Sequence, residues 1–132
     1  MTEEPDHLPP GARLLGREWI GFDETGQIGI IDFVADPMFA NRHGTIQGGF
    51  LAAMLDSATG VRALAALPPG RTAVTLSLNT RFRRPASIGK ITARAKIVNQ
   101  TDREIAVSAE LVDSNGVTVA EADACLRIID KN

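Results

Sequence analysis

The chain has 132 residues, enough for one domain and one core, and 14 Lys plus Arg against 16 Asp plus Glu leave a net charge of −2, which excludes a nucleic-acid binder that relies on overall positive charge. With 44% apolar and 23% charged residues the composition is globular, and six Phe plus Trp with no tyrosine offer no row of stacking platforms for single strands. One cysteine excludes an internal disulfide, two histidines cannot complete a tetrahedral zinc cluster with it, and no apolar run approaches the roughly 18 residues of a membrane span, so chemistry without metal, cofactor or membrane is expected.

In chain order, residues 1–11 are polar and proline-rich and are expected to form a flexible lead-in, with a single domain over 12–132. They carry neither the basic start nor the apolar run of a secretory signal, so a cytoplasmic location is expected. Residues 19–22 and 28–34 are β-rich and flank Asp23-Glu24-Thr25-Gly26, whose residue types predict a hairpin turn. Residues 35–49 form a long glycine-containing loop. Residues 49–66 are rich in Ala, Leu and Met and run into Pro68-Pro69-Gly70, which predicts one helix with an abrupt stop.

Four strands are predicted after it, at 72–83, 91–99, 104–112 and 117–129. In the third, Ile105, Val107, Ala109 and Leu111 share one face. The connections at 85–89, 99–102 and 113–116 are short, so consecutive strands are expected to be antiparallel neighbours. A hairpin, one helix of about 27 Å and strands of about 33 Å together predict an α+β architecture, a mostly antiparallel sheet wrapped around a single central helix.

That helix carries only Asp56, Ser57, Thr59 and Arg62 as polar side chains between Phe50 and Leu67, so it is expected to be buried nearly all round. Asp56, in its middle, has neither a helix-end dipole nor a cap to support it. Either Asp56, Ser57 and Arg62 form a narrow solvent-facing stripe, or Asp56 is a partly desolvated carboxylate in a cleft, suited to base or nucleophile work. Gly48 and Gly49 open the helix. They serve a tight turn, and they also allow close approach to amides that suit an oxyanion. Asp56 lies eight residues beyond Gly48, about 12 Å along a helix, whereas one reacting carbonyl needs contacts of about 3 Å. If both serve one reaction, two subunits supply them across a two-fold axis, and an obligatory homodimer is expected.

The segment Asn41, Gly44, Gln47, Gly48, Gly49 and Asp56 resembles the hotdog-fold thioesterases of the phenylacetyl-CoA thioesterase (PaaI-like) family, whose pattern runs Asn, a Gly three residues on, His-Gly-Gly, an apolar helix and an Asp. The resemblance continues through Thr75 and Asn79 to Phe82-Arg83-Arg84-Pro85-Ala86. Gln47 stands where that family most often has His; an amide still donates a hydrogen bond.

The resemblance implies a hotdog fold and hydrolysis of a small, medium-chain or aromatic acyl-CoA to free acid and CoA. Asp56 would activate water or attack the thioester carbonyl, the Gly48 N–H of the neighbouring subunit would hold the oxyanion, Asn41 would orient water or substrate, and Thr75 would place a hydroxyl near the carboxylate. Gln47 and Gly49 would border the substrate. Arg81, Arg83 and Arg84, with Lys90 and Arg94, either clasp CoA phosphates or are solubilising charge on an outer strand face. His43 reads as a loop residue and Cys125 as a small core residue. The assembly is expected to be a homodimer or a tetramer of two dimers. The competing readings are a hotdog module that binds acyl-CoA without hydrolysing it, and a hydratase, which needs a His plus acid pair that His43 is poorly placed to supply.

Overall fold

A computed structural model describes residues 8–131; residues 1–7 of the expected lead-in lie outside the described residues. Regular structure starts earlier than the composition of that stretch suggests, with helix α1 at Pro10–Leu14. Pro10 occupies the first helical turn, where its missing N–H costs nothing, and Ala12 and Leu15 are buried. Strands β1 (Glu18–Phe22) and β2 (Gly29–Ala35) follow as the expected hairpin. Asp23 builds its turn: Oδ1 accepts the Thr25 N–H at 3.1 Å and the Thr25 hydroxyl at 2.5 Å, while the Asp23 N–H donates to the Ile28 carbonyl at 2.9 Å.

Helix α2 spans Gly48–Leu64, starting one residue before and ending two before the expected bounds. Its last turn loosens at Ala66 and Leu67, whose N–H groups donate three residues back, before Pro68 and Pro69 end it. Strands β3 (Arg71–Phe82), β4 (Gly89–Gln100), β5 (Glu104–Val112) and β6 (Thr118–Asp130) complete a six-stranded sheet in the order β1-β2-β4-β5-β6-β3, antiparallel at every pair.

One expectation is overturned here: β3 does not pair with β4. It pairs with β6 at the edge of the sheet, and β4 pairs with β2. The connection between β3 and β4 therefore crosses the end of the sheet instead of closing a hairpin. Its Ala86 is fully buried, the Ala86 carbonyl accepts the Ile46 N–H at 2.8 Å, and Ser87 bridges to Thr45, so the loop before α2 captures this connector.

The sheet curls round α2, whose Leu51, Met54, Leu55, Ala58 and Val61 are buried with Ile31, Phe33, Ile91, Val107, Leu111 and Leu126. Truncating one such Leu or Met to Ala costs about 2–5 kcal/mol. Strand β5 alternates as expected, with Ile105, Val107, Ala109 and Leu111 all inward. The helix is not buried all round. Gly49, Ala52, Ala53, Asp56, Ser57 and Gly60 recur at helical spacing along a strip that the sheet leaves open.

Arg62 is not on that strip. It is buried on another side, where Nε and one terminal N–H donate to the Gln27 carbonyl at 3.3 and 3.0 Å and the guanidinium lies over the Phe22 ring. Cys125 also departs from expectation. Ala124 and Leu126 take the inward positions, so alternation turns Cys125 to the outer face, where its thiol donates to Glu104 Oε1 at 3.2 Å.

Candidate functional site

The loop before α2 is held by Asn41. Its Oδ1 accepts the N–H groups of His43 and Thr45 at 2.9 and 3.2 Å, and its Nδ2 donates to the Thr45 hydroxyl at 3.0 Å. The loop then pairs with the body of the fold through the Gln47 N–H on the Phe39 carbonyl at 2.8 Å, and Phe39 stacks on Phe50 with ring centroids 4.1 Å apart. These contacts fix the direction in which α2 begins. Gln47 is its exposed N-cap and makes no side-chain capping bond. The N–H groups of Gly48 and Gly49 have no acceptor among the described residues, as is usual for the first amides of a helix.

A cavity of about 430 Å³ opens beside this turn, lined by Asn41, His43, Gly48, Phe82, Arg83 and Arg84 together with Thr45, Ile46, Leu51 and Pro85. Four of the residues singled out in the sequence, Asn41, Gly48, Arg83 and Arg84, meet there. Phe82, quoted in the sequence only as part of a strand end, is the residue that faces Gly48: a Cβ placed on Gly48 would meet the ring's Cε1 and Cζ at 3.4 Å. Gly49 is exposed on the open strip of the helix and stands outside this lining.

Asp56 and Thr75 lie elsewhere. The Thr75 hydroxyl donates to Asp56 Oδ1 at 2.8 Å, which ties the carboxylate on α2 to the free edge strand. In the single chain Asp56 is exposed and stands outside the lining of the Gly48 cavity. Beside it, β3 is bulged between Thr75 and Ser77 with Leu76 53% exposed at the bulge, while Val74, opposite Arg127, turns to the outer face. The carboxylate thus stands on the open strip of small residues, beside the edge strand β3. Beside it Arg17, just before β1, donates to the hydroxyl of Ser57 at 2.9 Å.

The basic residues separate by their partners. Arg81 holds Glu121 and Asp123 at 3.0 and 3.1 Å, and Arg83 holds Glu121 through Nε at 3.1 Å. The Arg83 and Arg81 bonds keep the Glu121 carboxyl below the usual glutamate range. Arg84 is exposed and has no ion-pair or hydrogen-bond partner for its side chain among the described residues. A second cavity, of about 300 Å³, lies on the outer face of the sheet among Arg81, Arg94, Lys96, Ser108, Glu110 and Glu121. Among the described residues no three His, Cys, Asp or Glu side chains gather to hold a metal ion, and no helix is long and apolar enough to cross a membrane.

A long helix enclosed by a six-stranded antiparallel sheet of this order is the hotdog fold. The thioesterase superfamily profile matches residues 43–120, from the loop before α2 into β6. A phenylacetic acid degradation-related protein from Ralstonia eutropha JMP134 is 35% identical, with 91% of this chain and 90% of that one covered and a TM-score of 0.85. A protein from Bacillus halodurans whose crystal structure contains CoA is 29% identical over 76% of this chain and 66% of that one, with a TM-score of 0.72. The PaaI protein of the E. coli phenylacetic acid degradation operon shares the fold at 24% identity, covering 92% and 85% with a TM-score of 0.80. No match is found among the curated proteins. The chain belongs to the thioesterase superfamily as a PaaI-like, hotdog-fold member, and thioester hydrolysis is its general activity.

Proposed function

We propose that the protein hydrolyses acyl-CoA thioesters carrying small, medium-chain or aromatic acyl groups, at sites built between two copies of the chain. One observation carries the reading: Asp56 stands outside the Gly48 cavity, on an open strip of α2 beside the edge strand β3 that a second copy can cover. Eight residues of helix separate the two groups by about 12 Å, so they reach one carbonyl only from different protomers.

In that arrangement Asp56 acts as base or nucleophile, oriented by Thr75, and desolvation by the partner raises its effectiveness. The partner's helix N-terminus offers the Gly48 N–H to the oxyanion that forms as the carbonyl becomes tetrahedral. With Asp56 as base, the water it deprotonates adds to the carbonyl, the C–S bond breaks to release the acid, and the departing CoA sulfur takes up the proton. With Asp56 as nucleophile, the C–S bond breaks to leave an acyl–Asp56 anhydride that water then cleaves, one of its protons going to the CoA thiolate. Asn41 acts mainly by holding the loop, since its carboxamide is already engaged there. Arg84 is the arginine we assign to the CoA phosphates, because Arg81 and Arg83 are occupied by Glu121 and Asp123. The CoA-bound relative from Bacillus halodurans supports the choice of CoA as the thiol.

A thiol-release assay over short, medium-chain and aromatic acyl-CoAs tests the proposal. Turnover by the wild-type chain that disappears in Asp56→Ala is expected. Saturable acyl-CoA binding without turnover would favour the binding-module reading, for which Gln47 in the family's His position is the motive.

A further inference from the structure

We infer that Phe82 is a positioning residue for this reaction: its ring keeps water off the Gly48 amide and confines the thioester carbonyl to it. The inference rests on the reading of Gly48 given above. The ring stands across the first turn of α2, where a Cβ on Gly48 would touch two of its carbons at 3.4 Å, so the gap between backbone and ring is about one atom wide. Phe82 is also 55% exposed and lines the same cavity as Gly48, so a large part of its apolar surface is left outside the core beside the helix start.

The backbone that carries the ring is held by its strand. Phe82 pairs with Ala120 at the end of β3, and the N–H groups of Arg83 and Arg84 both donate to the Val119 carbonyl, at 2.8 and 3.2 Å. This pairing fixes the backbone that carries the ring, so its distance from the first turn of α2 is set by the strand and the side-chain rotamer together. An amide aimed at developing charge is worth more where water is excluded, because the local dielectric falls and no solvent competes for the donor. The cavity is also graded. His43 and Arg84 supply polar lining, and Ile46, Leu51 and Phe82 the apolar lining around the helix start.

The test uses the full chain with Phe82→Ala and Phe82→Leu, measuring kcat, KM and thermal melting on one acyl-CoA and on the N-acetylcysteamine thioester of the same acid. A half-exposed ring contributes little to stability, so both variants are expected to melt with the wild type. For Phe82→Ala, kcat is expected to fall about tenfold on both thioesters with KM nearly unchanged, a fraction of the roughly 10²–10³ that loss of an oxyanion donor costs. Phe82→Leu is expected to fall between that variant and the wild type. Unchanged kcat in a folded Phe82→Ala chain overturns the inference, as does a rise in KM confined to the CoA thioester, which would make the ring a mere CoA contact. If Phe82→Ala melts early, kcat of the folded Phe82→Leu chain decides in the same way. Wild-type turnover with no Phe82 effect sinks this inference alone; absence of wild-type turnover on every thioester sinks the proposed function with it.

Discussion

The Thr75 hydroxyl donates to Asp56 Oδ1 at 2.8 Å, joining the one carboxylate of α2 to the free edge strand of the sheet. The bond orients a carboxylate for which no other side-chain partner is found among the described residues. Asp56→Ala is expected to lower thioesterase kcat about 10³-fold, within the range for loss of a general base. Thr75→Val keeps the shape and removes the donor, and is expected to cost about tenfold in kcat with little change in melting temperature. Steady-state kinetics on a good acyl-CoA substrate check both, and a Thr75→Val chain with wild-type kcat would remove the hydroxyl from the mechanism.

Gly48 separates folding from function. Its φ is not in the left-handed region, and a Cβ there makes only ordinary contact with Phe82. Gly48→Ala is therefore expected to fold and melt at or slightly above the wild-type temperature, since Ala is the better helix former by up to about 1 kcal/mol. The added methyl fills the gap beside the amide, and turnover is expected to be lost. Parallel melting curves and thiol-release assays make the comparison.

Much of this fold is legible in the residues, for reasons that are local. Asp23 closes its own turn, Pro68 stops its own helix, and the alternation in β5 displays its inner face directly. The placement of β3 is not local. A connector of a few residues can close a hairpin or cross the end of a curled sheet, and only the capture of Ala86 by the loop at Thr45 and Ile46 distinguishes them. Arg62 and Cys125 were hidden for a similar reason, since their surroundings come from β1, β2 and β5. Within the candidate site, glycine spacing singles out Gly48 and the isolated carboxylate singles out Asp56. Phe82 carried no chemical signal of its own; only its distance to Gly48 gives it meaning.

Glu121 supplies a pH test. Hydrogen bonds from Arg83 and then Arg81 hold its folded-state carboxyl below the ordinary value, so the pair stabilises the fold above about pH 4.3, the unfolded value, and the contribution is lost as pH falls through and below it. Melting of wild type and Glu121→Gln from pH 7 to pH 3 is expected to show a small wild-type advantage near neutrality that closes on the acid side. A gap that widens in acid contradicts the assignment.

Cys125 is expected to react slowly. Its bond to Glu104, aided by burial, pushes the thiol pKa up, so less thiolate is present at neutral pH than for a free cysteine. Alkylation by iodoacetamide near pH 8 is expected to lag behind a model thiol, and Glu104→Gln is expected to speed it. Equal rates in the two chains would remove Glu104 as the cause.

Mixed dimers test most directly whether Asp56 of one protomer works with Gly48 of another. Chains carrying Asp56→Ala and Gly48→Ala under different tags are co-expressed, and the heteropair is isolated through both. Each parent is expected to be inactive, whereas the heteropair holds one site with both native groups and is expected to recover about half the wild-type turnover. A heteropair as inactive as its parents would contradict the shared site.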